Sequence, residues 1–115
     1  MYGPEYPLQS TKYFKCRVLP KLLDEKSDMF RFHSCKFNVE RSKLGAARVV
    51  FYKEFNITNC FTLEASMHAY VNKDRQTLEF KEEDLQLLGV QMGQTIHLHS
   101  WMITLDEVTK FNLRK

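Results

Sequence analysis

The central stretch of the chain reads Arg48-Val49-Val50-Phe51-Tyr52-Lys53-Glu54-Phe55 and continues after Asn56 with Ile57-Thr58-Asn59-Cys60-Phe61-Thr62-Leu63-Glu64-Ala65. The first part is rich in β-branched and aromatic side chains, a composition typical of a buried strand. Alternate side chains of the second part would point to opposite faces of a sheet. Because Asn56 can form a turn between the two parts, we expect two adjacent core strands that pair as a hairpin.

Helical patterns lie on both sides of these predicted strands. Pro20 and the apolar residues after it predict a short helix over residues 19–29. Residues 68–80 are polar and are expected to form a connection. The acidic residues 82–84 favour the start of a helix, and the apolar residues after them follow a helical spacing. With Gly89 as a break, we predict a short helix and then a longer one over residues 90–108. The expected fold class is therefore mixed α/β, with two adjacent core strands followed by two C-terminal helices.

Composition excludes several classes of protein. The 115 residues, 43% of them hydrophobic and 27% charged, suit one globular domain. No run reaches the roughly 18 apolar residues of a membrane span. The net charge of +3 is spread among acidic residues, and no nucleic-acid-binding signature accompanies it. We therefore expect no membrane and no nucleic-acid partner, whereas an acidic peptide partner suits the sign of the charge.

The cysteines and histidines give no metal or redox motif. Cys16, Cys35 and Cys60 form no CxxC pair, and the four histidines form no HxxE, HExxH or HxxxH motif. The first seven residues do not have the pattern of a secretory or mitochondrial leader. We therefore expect a cytosolic chain in which the thiols are buried packing groups and no metal is bound.

Four residues in the central stretch or just before it are candidates for chemistry. Glu64 ends the second predicted strand, where a carboxylate costs free energy unless it is partnered, and it could transfer protons or be an ordinary strand-end glutamate. Arg48 opens the neighbouring strand and could grip a substrate carboxylate or form a structural ion pair. Lys43 and Arg41, on the turn before it, could add positive charge to the same cleft or lie on a solvated loop.

Residues 35–66 resemble the cytosolic carboxypeptidase branch of the zinc metallocarboxypeptidases, which includes the tubulin deglutamylases. Three segments carry the resemblance: Cys35-Lys36-Phe37, Ser42-Lys43-Leu44-Gly45-Ala46-Ala47-Arg48-Val49-Val50-Phe51 and Asn59-Cys60-Phe61-Thr62-Leu63-Glu64-Ala65-Ser66. The start, Met1-Tyr2-Gly3-Pro4, is similar to the segment that follows the family's H-G-H-S motif. The chain departs from the family at Asn56, Cys60 and Phe61, where Gly, Ser and Tyr are usual, and at Ala46, where Thr is common.

The resemblance implies a fold, a reaction and a cofactor. Residues 1–115 would be the C-terminal portion of a carboxypeptidase-like mixed-sheet α/β/α catalytic domain. Glu64 matches the catalytic glutamate, and Arg48 and Lys43 match basic positions that favour an acidic substrate side chain. The complete domain would use zinc, whose ligands lie upstream of Met1 in the family, so we expect no zinc to bind this chain alone.

The implied substrates are C-terminal residues, above all glutamates, of acidic protein tails such as those of tubulin. The implied location is the cytoplasm, in association with microtubules or cilia. A second hypothesis is an inactive pseudo-peptidase or a binding module that holds acidic tails through Arg48 and Lys43. Because a sheet without its other strands exposes an edge and an apolar face, we also expect the isolated chain to aggregate or to be marginally folded.

Overall fold

The computed structural model describes residues 1–112, with side chains described up to residue 106. The elements follow in the order α1 (Thr11–Lys26), α2 (Ala47–Glu54), β1 (Ala69–Val71), β2 (Thr77–Glu79) and α3 (Glu82–Asn112). Two short 3-10 turns, Phe32–Ser34 and Arg41–Lys43, lie between the first two helices. The predicted mixed α/β class is confirmed, since two antiparallel strands precede a C-terminal helix.

Helix α1 is longer than predicted and is displaced toward the N-terminus. Ser10 caps it, with the Ser10 hydroxyl accepting a hydrogen bond from the Lys12 N–H at 3.2 Å. The boundaries predicted from Pro20 are therefore wrong, because Pro20 lies inside the helix. Cys16, Leu19, Pro20 and Leu23 are buried at helical spacing, so one face of the helix packs into the core.

The predicted core strand over residues 48–55 is wrong, because these residues form helix α2. Val49 and Tyr52, three positions apart, are the buried residues of α2, whereas a buried strand would cover alternate side chains. The helix ends at Glu54, and Asn56, two residues later, has a φ of 58°, the left-handed conformation that commonly follows the end of a helix. Residues 57–65 form no strand and pair only through an isolated bridge from Thr62 to Tyr2.

The two strands lie instead in the segment predicted to be a polar connection. Strands β1 and β2 pair antiparallel, with Tyr70 opposite Leu78, and the Tyr70 and Phe80 rings are 4.7 Å apart. The turn between them contains Arg75 at φ 63°, and the Asn72 N–H donates to the Gln76 carbonyl at 3.0 Å. Strands of three residues are too short for an alternating apolar pattern to predict them.

Helix α3 is continuous, so the predicted break at Gly89 is wrong. A glycine inside a helix costs about 1 kcal/mol relative to alanine, which good helix formers on both sides can offset. Leu88, Thr95 and His99 are buried and line one face of α3, the helix that packs against α1. Among the described residues, no helix is long and apolar enough to cross a membrane.

Candidate active-site cavity

One cavity, with a volume of about 410 Å³, brings the three predicted site residues together. Its lining consists of Tyr2, Lys36, Asn38, Glu40, Lys43, Ala46, Arg48, Thr62 and Glu64. The cavity lies between the N-terminal segment, the loop that leads into α2, and the irregular segment after α2. Arg41, which sequence reasoning placed near Lys43, does not line it.

The N-terminal segment holds the walls of this cavity together through backbone hydrogen bonds. Tyr2 and Thr62 exchange two of them, at 2.8 and 2.9 Å. On the other side, the Gly3 N–H donates to the Lys36 carbonyl at 2.8 Å, and the Lys36 N–H donates to the Met1 carbonyl at 3.0 Å. Residues 1–3 therefore lie as a short extended segment between the wall that carries Lys36 and the wall that leads to Glu64.

Gly3 is required at this position by the space available. A Cβ atom there would lie 2.7 Å from Cδ1 of Phe37 and 3.2 Å from Cε1 of Phe61. Both distances are shorter than an ordinary carbon–carbon contact of about 3.5–4.0 Å. The two aromatic rings therefore approach the backbone at Gly3, next to the bonds that tie the walls together.

Arg48 and Lys36 share the aromatic ring of Tyr2. The Arg48 guanidinium carbon is 5.4 Å from the centre of that ring, and the Lys36 Nζ is 6.0 Å from it. These are cation–π distances, so the ring attracts both cations. Arg48 Nε is buried and has no hydrogen-bond partner among the described residues. A buried donor without a partner is costly, and a bound carboxylate could satisfy it.

Arg48 lies in the first turn of α2 and is half-buried, rather than opening a strand as predicted. Lys43 is exposed and ends the 3-10 turn Arg41–Lys43, so it lines the cavity from a loop. Sequence reasoning missed Lys36, although it belongs to the quoted segment Cys35-Lys36-Phe37. The sequence carries no signal for Lys36, because it joins Arg48 and Lys43 in one cavity only in the folded chain.

Glu64 lines the cavity from an irregular segment and is exposed. The prediction that it ends a core strand is wrong, because the chain forms only a single bridge at Thr62 before it. The cavity thus contains three basic side chains and two carboxylates, those of Glu40 and Glu64. Such an arrangement can hold an anionic group beside the basic residues while a carboxylate stands at the edge of the cavity.

Ala46, which departs from the family pattern, lines the same cavity and is the N-cap residue of α2. Its side chain cannot accept a hydrogen bond from the helix N-terminus, and none is made there. A threonine hydroxyl at this position could accept one. The departure therefore removes a polar group both from the helix cap and from the wall of the cavity.

The described residues do not fit a zinc site. No group of three or more His, Cys, Asp or Glu side chains within them could hold a metal ion. The three cysteines are free, and burial raises the pKa of each thiol, which favours the protonated form. Cys16 is buried, as predicted, whereas Cys35 and Cys60 are only half-buried. Burial also lowers the pKa of His99, which lies on the buried face of α3.

Comparison with known proteins gives relatives that are named cytosolic carboxypeptidases. Cytosolic carboxypeptidase 3 of Bos taurus is 37% identical over 78 residues, 67% of this chain. Cytosolic carboxypeptidase 3 of Mus musculus is 38% identical over 93 residues, 77% of the chain. Cytosolic carboxypeptidase 2 of Danio rerio is 31% identical over 97 residues, 84% of the chain.

The matched segments make up 8%, 9% and 13% of those three relatives, so the chain spans only a small part of their length. No family model matches the chain. No solved structure matches it significantly.

Proposed function

Because the chain belongs to the cytosolic carboxypeptidase family, we propose that it contributes to carboxypeptidase-type hydrolysis of C-terminal residues. The proposed substrates are acidic protein tails that end in glutamates, such as those of tubulin. The observation that supports this proposal is that Glu64, Arg48 and Lys43 line a single cavity of about 410 Å³. The proposed location is the cytoplasm, since the relatives are named cytosolic, with microtubules or cilia as the site of a tubulin substrate.

In this proposal Glu64 is the general base and then the general acid. Its carboxylate takes a proton from the water that attacks the scissile carbonyl, and returns a proton to the amine as the C–N bond breaks. A carboxylate at the edge of the cavity suits this role, since the peptide bond must lie outside the pocket that holds the terminal side chain. The exposure of Glu64 leaves room for that bond.

Arg48 and Lys43 are the proposed binding residues for the acidic side chain of the substrate. Arg48 is the stronger of the two, because a guanidinium can bind a carboxylate through two parallel hydrogen bonds. Its buried Nε lacks a partner, and its position above the Tyr2 ring keeps it in place. Lys43 is exposed and would add a screened charge rather than a fixed contact.

Zinc is the proposed cofactor of the complete enzyme, where it would supply Lewis-acid chemistry. Since the described residues contain no group that fits zinc, its ligands would have to lie outside them. The roles of Glu64, Arg48 and Lys43 are proposed for the site that such ligands would complete.

The test transfers this segment into a full-length relative. Residues 1–112 replace the matched segment of mouse cytosolic carboxypeptidase 3, and release of glutamate from a peptide with a poly-glutamate end is measured. Glu64→Gln should lower kcat by about 10²-fold or more, the usual contribution of a general base. Arg48→Gln should raise KM for this peptide but not for one that ends in leucine. Near-normal activity of the Glu64→Gln chimera would contradict the proposal.

A second candidate function is a binding module or an inactive pseudo-peptidase. It is favoured by the three basic side chains, Lys36, Lys43 and Arg48, that line the same cavity. The isolated chain should then bind poly-glutamate without cleaving it, and the affinity should fall as salt increases. Tight stoichiometric binding of zinc by the isolated chain, measured by titration, would contradict this second candidate.

A further inference from the structure

Two further cavities continue from Glu64 toward the β1–β2 hairpin. The nearer one, of about 340 Å³, is lined by Glu64 and Arg31, together with apolar side chains such as Leu63, Tyr70 and Phe80. The farther one, of about 460 Å³, is lined by Asp24, Arg31, His33, Val71, Asn72, Lys73 and Arg75. Glu64 lines both the candidate active-site cavity and the nearer cavity, and Arg31 lines both the nearer and the farther cavity. The three cavities therefore adjoin one another at Glu64 and at Arg31.

The farther cavity is basic. Among the described residues that line it, Asp24 is the only acidic one. Asp24 is already engaged: one oxygen accepts the Phe32 N–H at 2.9 Å, and the other lies 3.6 Å from the Lys21 Nζ. Lys73 is paired as well, at 3.3 Å from Asp28. Among the described residues, Arg31 and Arg75 form no ion pair within 4.0 Å. Their two guanidinium groups therefore remain for an external anion.

Arg31 also carries a hydrogen-bond donor that the fold leaves unused. Its Nη1 donates to the Phe30 carbonyl at 3.2 Å, while its Nη2 is buried without a partner in the described part of the chain. Native structures leave few such donors unpaired, because each costs free energy. A carboxylate bound beside the Arg31 guanidinium could supply the missing acceptor.

The backbone around both arginines is anchored. The 3-10 turn Phe32–Ser34 follows Arg31, and the Ser34 N–H donates to the Arg31 carbonyl at 3.1 Å. The Arg75 N–H donates to the Asn72 carbonyl at 3.0 Å within the hairpin turn. That turn is tied to the end of α1 by Lys73, which lies 3.4 Å from the Glu25 carbonyl and pairs with Asp28.

We propose that Arg31 and Arg75 form a second anion-binding subsite, which holds carboxylates of the same acidic tail upstream of its C-terminal residue. The proposal rests on the proposed function, since the tail is taken to end in the cavity of Arg48. The nearer cavity, with its apolar side chains, would accommodate the main chain between the two groups of carboxylates. Multiple contacts along one tail would then favour long acidic tails over short ones.

The test measures binding of two labelled peptides to the full 115-residue chain by fluorescence anisotropy. One peptide ends in three glutamates and the other in ten. The longer peptide should bind at least about tenfold more tightly, which corresponds to roughly 1.4 kcal/mol. The double variant Arg31→Gln/Arg75→Gln should reduce this advantage to less than about twofold and leave binding of the short peptide unchanged.

Lys53→Gln is the matched control, because it removes one positive charge from an exposed side chain of α2 that lines none of the three cavities. It should change neither affinity. Arg75→Gln alone, at an exposed residue, provides a variant whose folding is not at risk, and should remove part of the advantage. Circular dichroism checks that each variant is folded.

The outcomes separate this inference from the proposed function. If Arg48→Gln weakens the binding of both peptides and the double variant weakens the binding of neither, the second subsite is overturned while the proposed function stands. If the short peptide does not bind, and the double variant still removes binding of the long one, the second subsite stands. The proposed binding of the terminal glutamate in the cavity of Arg48 is then contradicted. Equal affinity for both peptides in the unaltered chain would also overturn the second subsite.

Discussion

The cavity region and helix α3 are built in opposite ways. The cavity walls are mostly irregular, yet backbone hydrogen bonds join Tyr2 to Thr62 and Gly3 to Lys36 across long stretches of sequence. Helix α3 is regular over 31 residues but packs mainly through the face that carries Leu88, Thr95 and His99. The comparison teaches that segments without regular secondary structure can still be joined by backbone hydrogen bonds between residues far apart in the sequence.

The remaining faces of α3 are unusually apolar for an exposed helix. Residues 85–105 contain no Asp, Glu, Lys or Arg, and Leu87, Val90 and Trp101 expose 48%, 56% and 58% of their surface. A helix that is apolar on all faces is typical of a protein interior. These exposed apolar side chains are a reason to expect that the isolated chain aggregates. This stays a prediction, which light scattering of the purified chain can check.

Truncation of a buried side chain of α1 should have the largest effect on stability. Leu23 is fully buried on α1, so Leu23→Ala should lower the free energy of unfolding by about 2–5 kcal/mol through lost burial and the cavity it leaves. Urea denaturation measures the change. Leu87→Ala on the exposed side of α3 is the control and should cost far less. Equal costs would contradict the burial of Leu23 in the core.

Substitution of Gly3 should have the next largest effect, and it acts on the cavity. In Gly3→Ala the new Cβ would clash with the Phe37 ring, which should cost about 1–3 kcal/mol of unfolding free energy. The displaced walls should also weaken poly-glutamate binding. Gly89→Ala in α3 has open space and should instead stabilise the chain by about 1 kcal/mol. If Gly3→Ala is neutral in both measurements, the N-terminal segment does not hold the cavity.

Introduction of a capping hydroxyl at the N-terminus of α2 should have a smaller effect, which is an increase in the free energy of unfolding. Ala46 has the extended backbone of an N-cap residue, with ψ at 138°, but makes no capping hydrogen bond. Ala46→Thr should therefore raise the free energy of unfolding by about 1 kcal/mol. Ala46→Val, which has a similar shape without the hydroxyl, is the control in the same thermal melts. A gain of the same size in both variants would exclude capping as the cause.

The smallest expected effect is a pH dependence that originates in α3. Burial lowers the pKa of His99, so the folded state binds a proton there less readily than the unfolded state does. The stability that this histidine contributes should be complete above its unfolded pKa of about 6.5 and should fall as the pH decreases below that value. His99→Gln should flatten this part of the stability profile, whereas His97→Gln, at an exposed position, should not. Matching profiles for both variants would contradict the assignment to His99.

Which residues share the cavity could be predicted from the sequence better than the local backbone structure around them could. Glu64, Arg48 and Lys43 are candidates both from their positions in the sequence and from the resemblance of short motifs, and the structure brings them to one cavity. The strand predicted over residues 48–55 is a helix, because short apolar runs rich in Val and Phe fit either structure and tertiary packing selects between them. The hairpin was missed since its strands are only three residues long.

The amino-acid sequence alone established the family, the mixed α/β class and the residue types that could perform acid–base chemistry and bind an anion. The folded chain established which of them meet. Lys36 joins Arg48 because both lie against the Tyr2 ring, and Tyr2 reaches them through backbone bonds to segments far along the chain. Backbone hydrogen bonds of this kind can be made by almost any residue, so they leave no pattern in the sequence.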